Sequence, residues 1–146
     1  MPAAFNPDHL RTRLAPLTAR QPLTAEAQDY QRFYGLNLSV QSWLGGFQAA
    51  GFDLVGQVWL PEQPTATLFL LHGYYDHMGL YRHVIDWALT QGFAVISCDL
   101  PGHGLSSGER ASISDFSVYQ QVLEALFEQA RTLQLPRPWH LCGQST

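Results

Sequence analysis

The sequence closes with Trp139-His140-Leu141-Cys142-Gly143-Gln144-Ser145-Thr146, a short apolar run followed directly by a glycine and a serine. Apolar runs of about four to eight residues bounded by turn residues are typical of buried β-strands. Pro136 and Pro138 precede the run and separate it from the segment upstream. The stretch therefore predicts a strand over 139–142 that turns sharply at Gly143.

Two more apolar runs of strand length, 67–71 and 93–98, lie upstream of this strand. Apolar residues recur at helical spacing over 81–89, where Gly92 supplies a C-cap, and more clearly over 119–133. Strands that alternate with helices are parallel strands joined by helical crossovers. We therefore predict a mostly parallel sheet with flanking helices. The second helix would be capped by Ser112 or Ser114 with Asp115 in its first turn.

The N-terminal half of the chain has a different pattern. Residues 43–49 and 53–60 flank a turn near Gly51 and predict an antiparallel hairpin. Thr24 and Gly35 bound a short helix over 24–34, and residues 1–22 have little periodicity and predict an irregular arm. We predict an arm and helix over 1–34, followed over 35–146 by the N-terminal portion of a single α/β domain.

Composition excludes several classes of function. The net charge of -4 and the 14% charged fraction do not provide the basic surface that nucleic acids require. No apolar run approaches the length of a membrane span, and Asp8, Arg11 and Arg13 interrupt the region of a signal peptide, so we expect a cytoplasmic protein. Cys98 and Cys142 are predicted to be reduced core thiols on strands that are not adjacent.

The glycine and serine after strand 139–142 match the start of the nucleophile elbow G-x-S-x-G, which presents a serine at the carboxyl edge of a sheet. This pattern predicts Ser145 as a catalytic nucleophile for acyl transfer. The oxyanion of that reaction requires backbone N–H donors, and the residue after the nucleophile supplies one. We assign this donor to Thr146 and the other to Tyr74, which follows His72-Gly73 at the end of strand 67–71.

Other polar residues at the strand ends are expected to stabilise loops. Asp99 and His103 precede the serine, whereas the acid and histidine of a hydrolase triad follow it. We therefore expect both to order the glycine-rich loop 99–108, and His72 to bond loop backbone as a buried histidine. No metal or cofactor is expected, because paired ligand spacing is missing among the candidate ligands His72, Asp76, His77, Asp99 and His103.

Taken together, the motifs resemble the α/β-hydrolase superfamily, in the branch of monoacylglycerol lipases, bacterial lysophospholipases and serine aminopeptidase-type hydrolases. The resemblance covers about residues 40–146. Two positions depart from the usual pattern: Asp76 is a conservative departure at a position that is commonly acidic, and Thr146 stands where methionine is frequent. The matching residues are His72-Gly73, Asp76-His77, Tyr81, the loop from Asp99 to Ser106, Gly108-Glu109-Arg110, Ser114-Asp115-Phe116 and Gly143-Gln144-Ser145.

The resemblance implies an α/β-hydrolase fold truncated at the nucleophile elbow. It implies a serine esterase that acts on a monoacyl lipid or lysophospholipid, with no cofactor and with transient membrane-surface contact through a cap that this sequence lacks. The triad acid and histidine have no counterpart here, so we expect the 146-residue chain alone to be inactive and marginal as a monomer.

Two alternatives to the esterase remain open, a catalytically dead binding module and a peptidase or amidase of the same branch. A further open question concerns the residues that follow the predicted oxyanion strand. Met78 and Leu80, with Tyr74 and Tyr75, could form one wall of an acyl pocket or belong to an ordinary surface loop.

Overall fold

The computed structural model describes residues 6–73, 76–108 and 117–143. These residues form one sheet with helices on both faces and two short 3-10 turns, Leu17–Ala19 and Met78–Leu80. The strands are β1 (Gln41–Ala49), β2 (Phe52–Leu60), β3 (Ala66–Leu71), β4 (Phe93–Cys98) and β5 (Trp139–Gly143), and the helices are α1 (Pro7–Thr12), α2 (Ala25–Tyr34), α3 (Arg82–Thr90) and α4 (Ser117–Thr132).

The five described strands are arranged in the order β1-β2-β4-β3-β5. β1 and β2 form the predicted antiparallel hairpin, whose turn places Ala50 and Gly51 at positive φ. β4 pairs antiparallel with β2 and parallel with β3, and β5 pairs parallel with β3. The predicted parallel strands with helical crossovers are therefore confirmed. The proposed caps Ser112 and Ser114, with Asp115, lie outside the described residues.

Each face of the sheet has its own hydrophobic core, because side chains alternate between the faces of a strand. On one face Phe69 of β3 packs with Val122 and Leu126 of α4. On the other face Leu68 and Leu70 of β3 pack with residues of α1, α2 and α3. The uninterrupted apolar run of β3 therefore reflects coverage on both faces, as the sequence indicates.

Helix termini follow the sequence signals where these exist. Thr24 caps α2 by accepting a hydrogen bond from the N–H of Ala27, and Gly35 stops the helix at a φ of 70°. Gly92, at a φ of 84°, follows the last turn of α3 and donates to the carbonyl of Leu89. Both glycines adopt the left-handed conformation that terminates helices.

The irregular arm predicted for residues 1–22 is wrong in part, because its described residues include helix α1 and the 3-10 turn Leu17–Ala19. Asn6 accepts hydrogen bonds from the N–H groups of Asp8 and His9 and so caps α1, whereas Leu10 and Leu17 are fully buried. The backbone of Leu17 packs directly on Gly45 of β1, where a Cβ would lie 2.2 Å from its Cα. Two isolated leucines give no periodicity, so their burial could not be inferred from the pattern.

Only half of the prediction for the cysteines is confirmed. Both thiols are free and β3 separates their strands, as expected. Cys98 is buried, but Cys142 is exposed rather than in the core, because β5 is an edge strand among the described residues. No described helix has the length and apolar character needed to cross a membrane.

Candidate active site

Three parallel strands end level with one another at one edge of the sheet. Leu71 of β3 lies opposite Cys98 of β4 on one side and opposite Gly143 of β5 on the other. The loops that follow the three strands therefore begin on one line across the sheet. In open α/β sheets, ligands bind outside the carboxyl ends of the strands, so this edge is the candidate site.

The three residues assigned from sequence as nucleophile and oxyanion donors, Ser145, Thr146 and Tyr74, lie outside the described residues. Their roles stay predictions. The described structure fixes where the segments that carry them begin. Gly143 is the last residue of β5, and Gly73 follows β3 by two residues.

His72 is buried and bonds backbone groups through both ring nitrogens, as the sequence argument expected. Its Nδ1 lies 2.8 Å from the carbonyl of Gly73, and its Nε2 accepts a hydrogen bond from the N–H of Leu100 at 2.9 Å. These contacts require a neutral ring that carries its proton on Nδ1. Burial lowers the pKa of His72 to about 4, so the ring stays neutral near neutral pH. The carboxylate of Asp99, 4.0 Å from Nε2, therefore makes no ion pair with it.

Asp99 organises the loop after β4. One carboxylate oxygen accepts from the N–H of Met78 and the other from the N–H of Leu105, both at 2.8 Å. Complete burial raises the pKa of Asp99 to about 7, although both backbone hydrogen bonds favour the charged form. Because both oxygens are occupied by backbone groups, Asp99 acts as a structural residue of the loop, which confirms its expected role.

The rest of this loop is fastened to β2. The hydroxyl of Ser106 donates to the carbonyl of Asp99 at 2.6 Å and accepts from the N–H of Val55. Gly104 has a φ of 50°, and a Cβ there would lie 2.3 Å from a carboxylate oxygen of Asp99. His103 is buried, and its Nδ1 lies 2.9 Å from the carbonyl of Pro101. Gly104 and His103 therefore contribute to the geometry of the loop after β4.

A second set of polar contacts lies after β3, and sequence reasoning missed its function. The hydroxyl of Tyr81 donates to a carboxylate oxygen of Asp76 at 2.5 Å and accepts from the N–H of Gly73 at 3.2 Å. The sequence placed Tyr81 on the apolar stripe of α3, whereas it precedes that helix as its N-cap residue. The sequence signal for this contact is the spacing of five residues between the carboxylate of Asp76 and the phenol of Tyr81.

The N-terminal arm also reaches this edge, which sequence reasoning did not predict. Arg11 of α1 donates to the carbonyl of Leu105 at 3.0 Å, across 94 residues of sequence. Leu105 is the same residue whose N–H bonds Asp99. The arm, the loop after β4 and the segment at Met78 are therefore linked by hydrogen bonds.

Of the four residues considered for an acyl-pocket wall, Tyr74 and Tyr75 lie outside the described residues, and burial distinguishes the other two. Met78 is completely buried in the core beside α2 and α3, so it forms no pocket wall, whereas Leu80 is exposed. Among the described residues, no three acidic, histidine or cysteine side chains lie close enough to hold a metal ion.

The mixed sheet, the helical crossovers and the three loops at one carboxyl edge are consistent with the fold of an α/β-hydrolase, and solved structures of such enzymes share it. A solved structure of a lipase in its open form superposes with a TM-score of 0.63 at 26% identity, over 70% of this chain and 36% of that one. The chain belongs to the serine aminopeptidase S33 family, whose model matches residues 62–146.

Two curated relatives are similar to this chain over about half of its length. Phospholipase YtpA of Bacillus subtilis is 32% identical over 78 residues, which cover 53% of this chain and 30% of the relative. Monoacylglycerol lipase of Mycolicibacterium smegmatis is 35% identical over 77 residues, 52% of this chain and 28% of the relative. The matches thus span less than a third of either relative.

Proposed function

We propose that the protein to which these residues belong is a serine hydrolase of carboxylic esters, with a monoacyl lipid or lysophospholipid as its substrate. The single observation that supports this most is the level line of Cys98, Leu71 and Gly143. Because Leu71 and Gly143 are paired, the segment that carries Tyr74 and the segment that carries Ser145 begin at neighbouring points of the sheet edge. The names of the two relatives, a phospholipase and a monoacylglycerol lipase, support the lipid ester as substrate.

In the proposed mechanism, the hydroxyl oxygen of Ser145 attacks the ester carbonyl carbon while its proton passes to a histidine base. The carbonyl oxygen becomes an oxyanion held by the backbone N–H groups of Tyr74 and Thr146. Collapse of this intermediate expels the alcohol and leaves an acyl-serine, which water then hydrolyses. Two donors placed before the reaction stabilise the transition state selectively, which raises kcat.

The histidines described at this edge support a base from outside residues 1–146. Both ring nitrogens of His72 bond backbone, Nδ1 of His77 accepts from the N–H of Gly79, and Nδ1 of His103 faces the carbonyl of Pro101. A ring that stabilises its own loop is not oriented to take a proton from a serine. We therefore propose that polypeptide 1–146 alone shows no ester turnover.

A second candidate is hydrolysis of an amide at an amino-terminal residue, favoured by the description of the matching family as serine aminopeptidase. Both reactions would use the same nucleophile and oxyanion donors. They differ in the leaving group, so substrates discriminate between them.

The experiment compares the complete protein with its Ser145→Ala variant on monoolein, lysophosphatidylcholine and an aminoacyl p-nitroanilide. We expect turnover of at least one of the two lipids, lost in the variant, and labelling of Ser145 by a fluorophosphonate, located by mass spectrometry. Turnover of the anilide alone would favour the peptidase. Equal lipid turnover by both proteins, or no turnover and no labelling, would overturn the serine hydrolase.

A further inference from the structure

The phenol of Tyr81 joins the end of β3 to a carboxylate five residues earlier in the chain. Its oxygen accepts the N–H of Gly73 at 3.2 Å and donates its own proton to Asp76 at 2.5 Å. The N–H of Asp76 in turn donates to the carbonyl of Gly73 at 3.0 Å. Both backbone polar groups of Gly73 are thereby engaged, and the three residues form a closed ring of hydrogen bonds.

This ring is anchored to rigid structure on two sides. Tyr81 is the residue from which α3 starts, and its carbonyl accepts the N–H of Ile85, which is completely buried against the sheet. Gly73 directly follows His72, whose ring is fastened to Leu100. The ring of hydrogen bonds therefore lies between the carboxyl end of β3 and the start of α3.

The chemistry of the two hydrogen bonds makes them mutually reinforcing. A phenol that donates to a carboxylate forms a charge-assisted bond, and donation increases the ability of the same oxygen to accept. Desolvation and the bond to Asp76 raise the pKa of Tyr81 to about 12, so the phenol keeps its proton throughout the neutral range. Asp76 thus strengthens the hydrogen bond that Tyr81 accepts from the N–H of Gly73.

We propose that Tyr81 and Asp76 are positioning residues for the backbone at Gly73, and through it for the oxyanion donor at Tyr74. This inference rests on the proposed function, because an oxyanion donor has a role only in acyl transfer. A donor misplaced by about 1 Å can lower the rate of the chemical step by about 10²-fold. Loss of either side chain should therefore lower kcat and leave KM nearly unchanged, since the donors act in the transition state.

The kinetic test uses the complete protein and its Tyr81→Phe, Asp76→Ala and Asp76→Asn variants. Tyr81→Phe keeps the ring packing and removes only the hydroxyl. We expect a fall in kcat of about 10- to 100-fold for Tyr81→Phe and Asp76→Ala, with KM within about twofold. Asp76→Asn retains an oxygen that accepts from the phenol but lacks the charge, so it should recover part of the activity that Asp76→Ala loses.

The matched control is Tyr119→Phe, which removes a phenolic hydroxyl on α4, against the opposite face of the sheet. It should leave kcat and KM unchanged. A purely structural role for Tyr81 would lower the melting temperature and leave kcat per folded molecule unaltered. An unaltered kcat in Tyr81→Phe, or equal loss in Asp76→Asn and Asp76→Ala, would overturn the inference while leaving Ser145-dependent hydrolysis intact.

A second readout separates this inference from the proposed function. Amide hydrogen exchange at Gly73, followed by NMR, should become about tenfold faster or more in Tyr81→Phe, because the N–H of Gly73 loses the hydroxyl that accepts it. Unchanged exchange would overturn the positioning role whatever the kinetics. If the wild-type protein shows no Ser145-dependent turnover, the proposed function and the catalytic part of the inference fail together, whereas accelerated exchange would still support the hold on Gly73.

Discussion

The imidazole of His72 accepts the N–H of Leu100 at 2.9 Å, and this bond joins the loop after β3 to the loop after β4. Asp99, the residue before Leu100, is buried beside it and bonds the N–H groups of Met78 and Leu105. A neutral histidine and a buried carboxyl group thus stabilise the same two loops. Both residues belong to the set that resembles the hydrolase family. Neither is free to take part in proton transfer, because their polar side-chain atoms bond backbone groups.

Their opposite pKa shifts predict how stability depends on pH. Burial lowers the pKa of His72 from 6.5 to about 4 and raises that of Asp99 from 3.8 to about 7. Between pH 4 and 6.5 the unfolded chain binds a proton at His72 and the folded chain binds one at Asp99. The pair holds one proton in either state, so it should add almost no pH dependence to the free energy of unfolding in this window.

Single substitutions should expose each contribution with opposite sign. In His72→Gln only Asp99 remains; the folded state then holds the extra proton, so stability should fall as pH rises from about 4 to 7. In Asp99→Asn only His72 remains, and stability should fall as pH drops from about 6.5 to 4. The limiting slopes are about 1.4 kcal/mol per pH unit. Urea unfolding at several pH values measures them; parallel slopes in the two variants would contradict the assignment.

The contact between Leu17 and Gly45 predicts a large difference between adjacent glycines. In Gly45→Ala the new Cβ would lie 2.2 Å from the Cα of Leu17, which is backbone and cannot rotate away. We expect a loss of about 1 to 3 kcal/mol, typical of overpacking. Gly46→Ala is the control, because its Cβ would meet nothing closer than 3.8 Å and should change stability by less than about 0.5 kcal/mol. Urea titrations of both variants check this; equal losses would argue against the packing of the arm on β1.

Much of the fold could be predicted from local patterns, but the site could be predicted only in part. The apolar runs of β3 and β4, and the turn at Gly51, are visible because burial on both faces and a positive φ each restrict residue type locally. The burial of Leu17 and the hydrogen bond from the N–H of Met78 to Asp99 depend on contacts between distant segments, which no local period encodes. Tyr81 was misplaced because its aromatic ring continues the apolar stripe of α3.

The edge of the sheet predicts the solution behaviour of polypeptide 1–146. Leu141 lies on β5, an edge strand among the described residues, with 56% of its surface exposed, and apolar edges pair with other chains. Leu141→Lys should therefore reduce the association seen by light scattering. Leu80→Lys is a matched control, since Leu80 is 57% exposed but lies in a 3-10 turn. If both variants reduce association equally, the cause is general surface polarity and not the edge of β5. A monodisperse wild-type monomer would contradict association through β5.

His103 is predicted to affect folding rather than chemistry. It is 5% exposed, and its ring lies 5.0 Å from that of His72. In the complete protein, His103→Ala should lower stability by about 2 kcal/mol or more, through the cavity and the lost hydrogen bond to the carbonyl of Pro101. The kcat per folded molecule should stay within about threefold of wild type. A loss of kcat comparable to that of Ser145→Ala, at an unchanged melting temperature, would make His103 the base.

The common line of Cys98, Leu71 and Gly143 also bears on how such a protein can diversify. Because pairing within the sheet fixes the three points from which the loops depart, a change of length or sequence in one loop leaves the origins of the other two in place. Sequence change that alters function can therefore accumulate in the loops beyond the strand ends, while the paired strands keep the sheet unchanged.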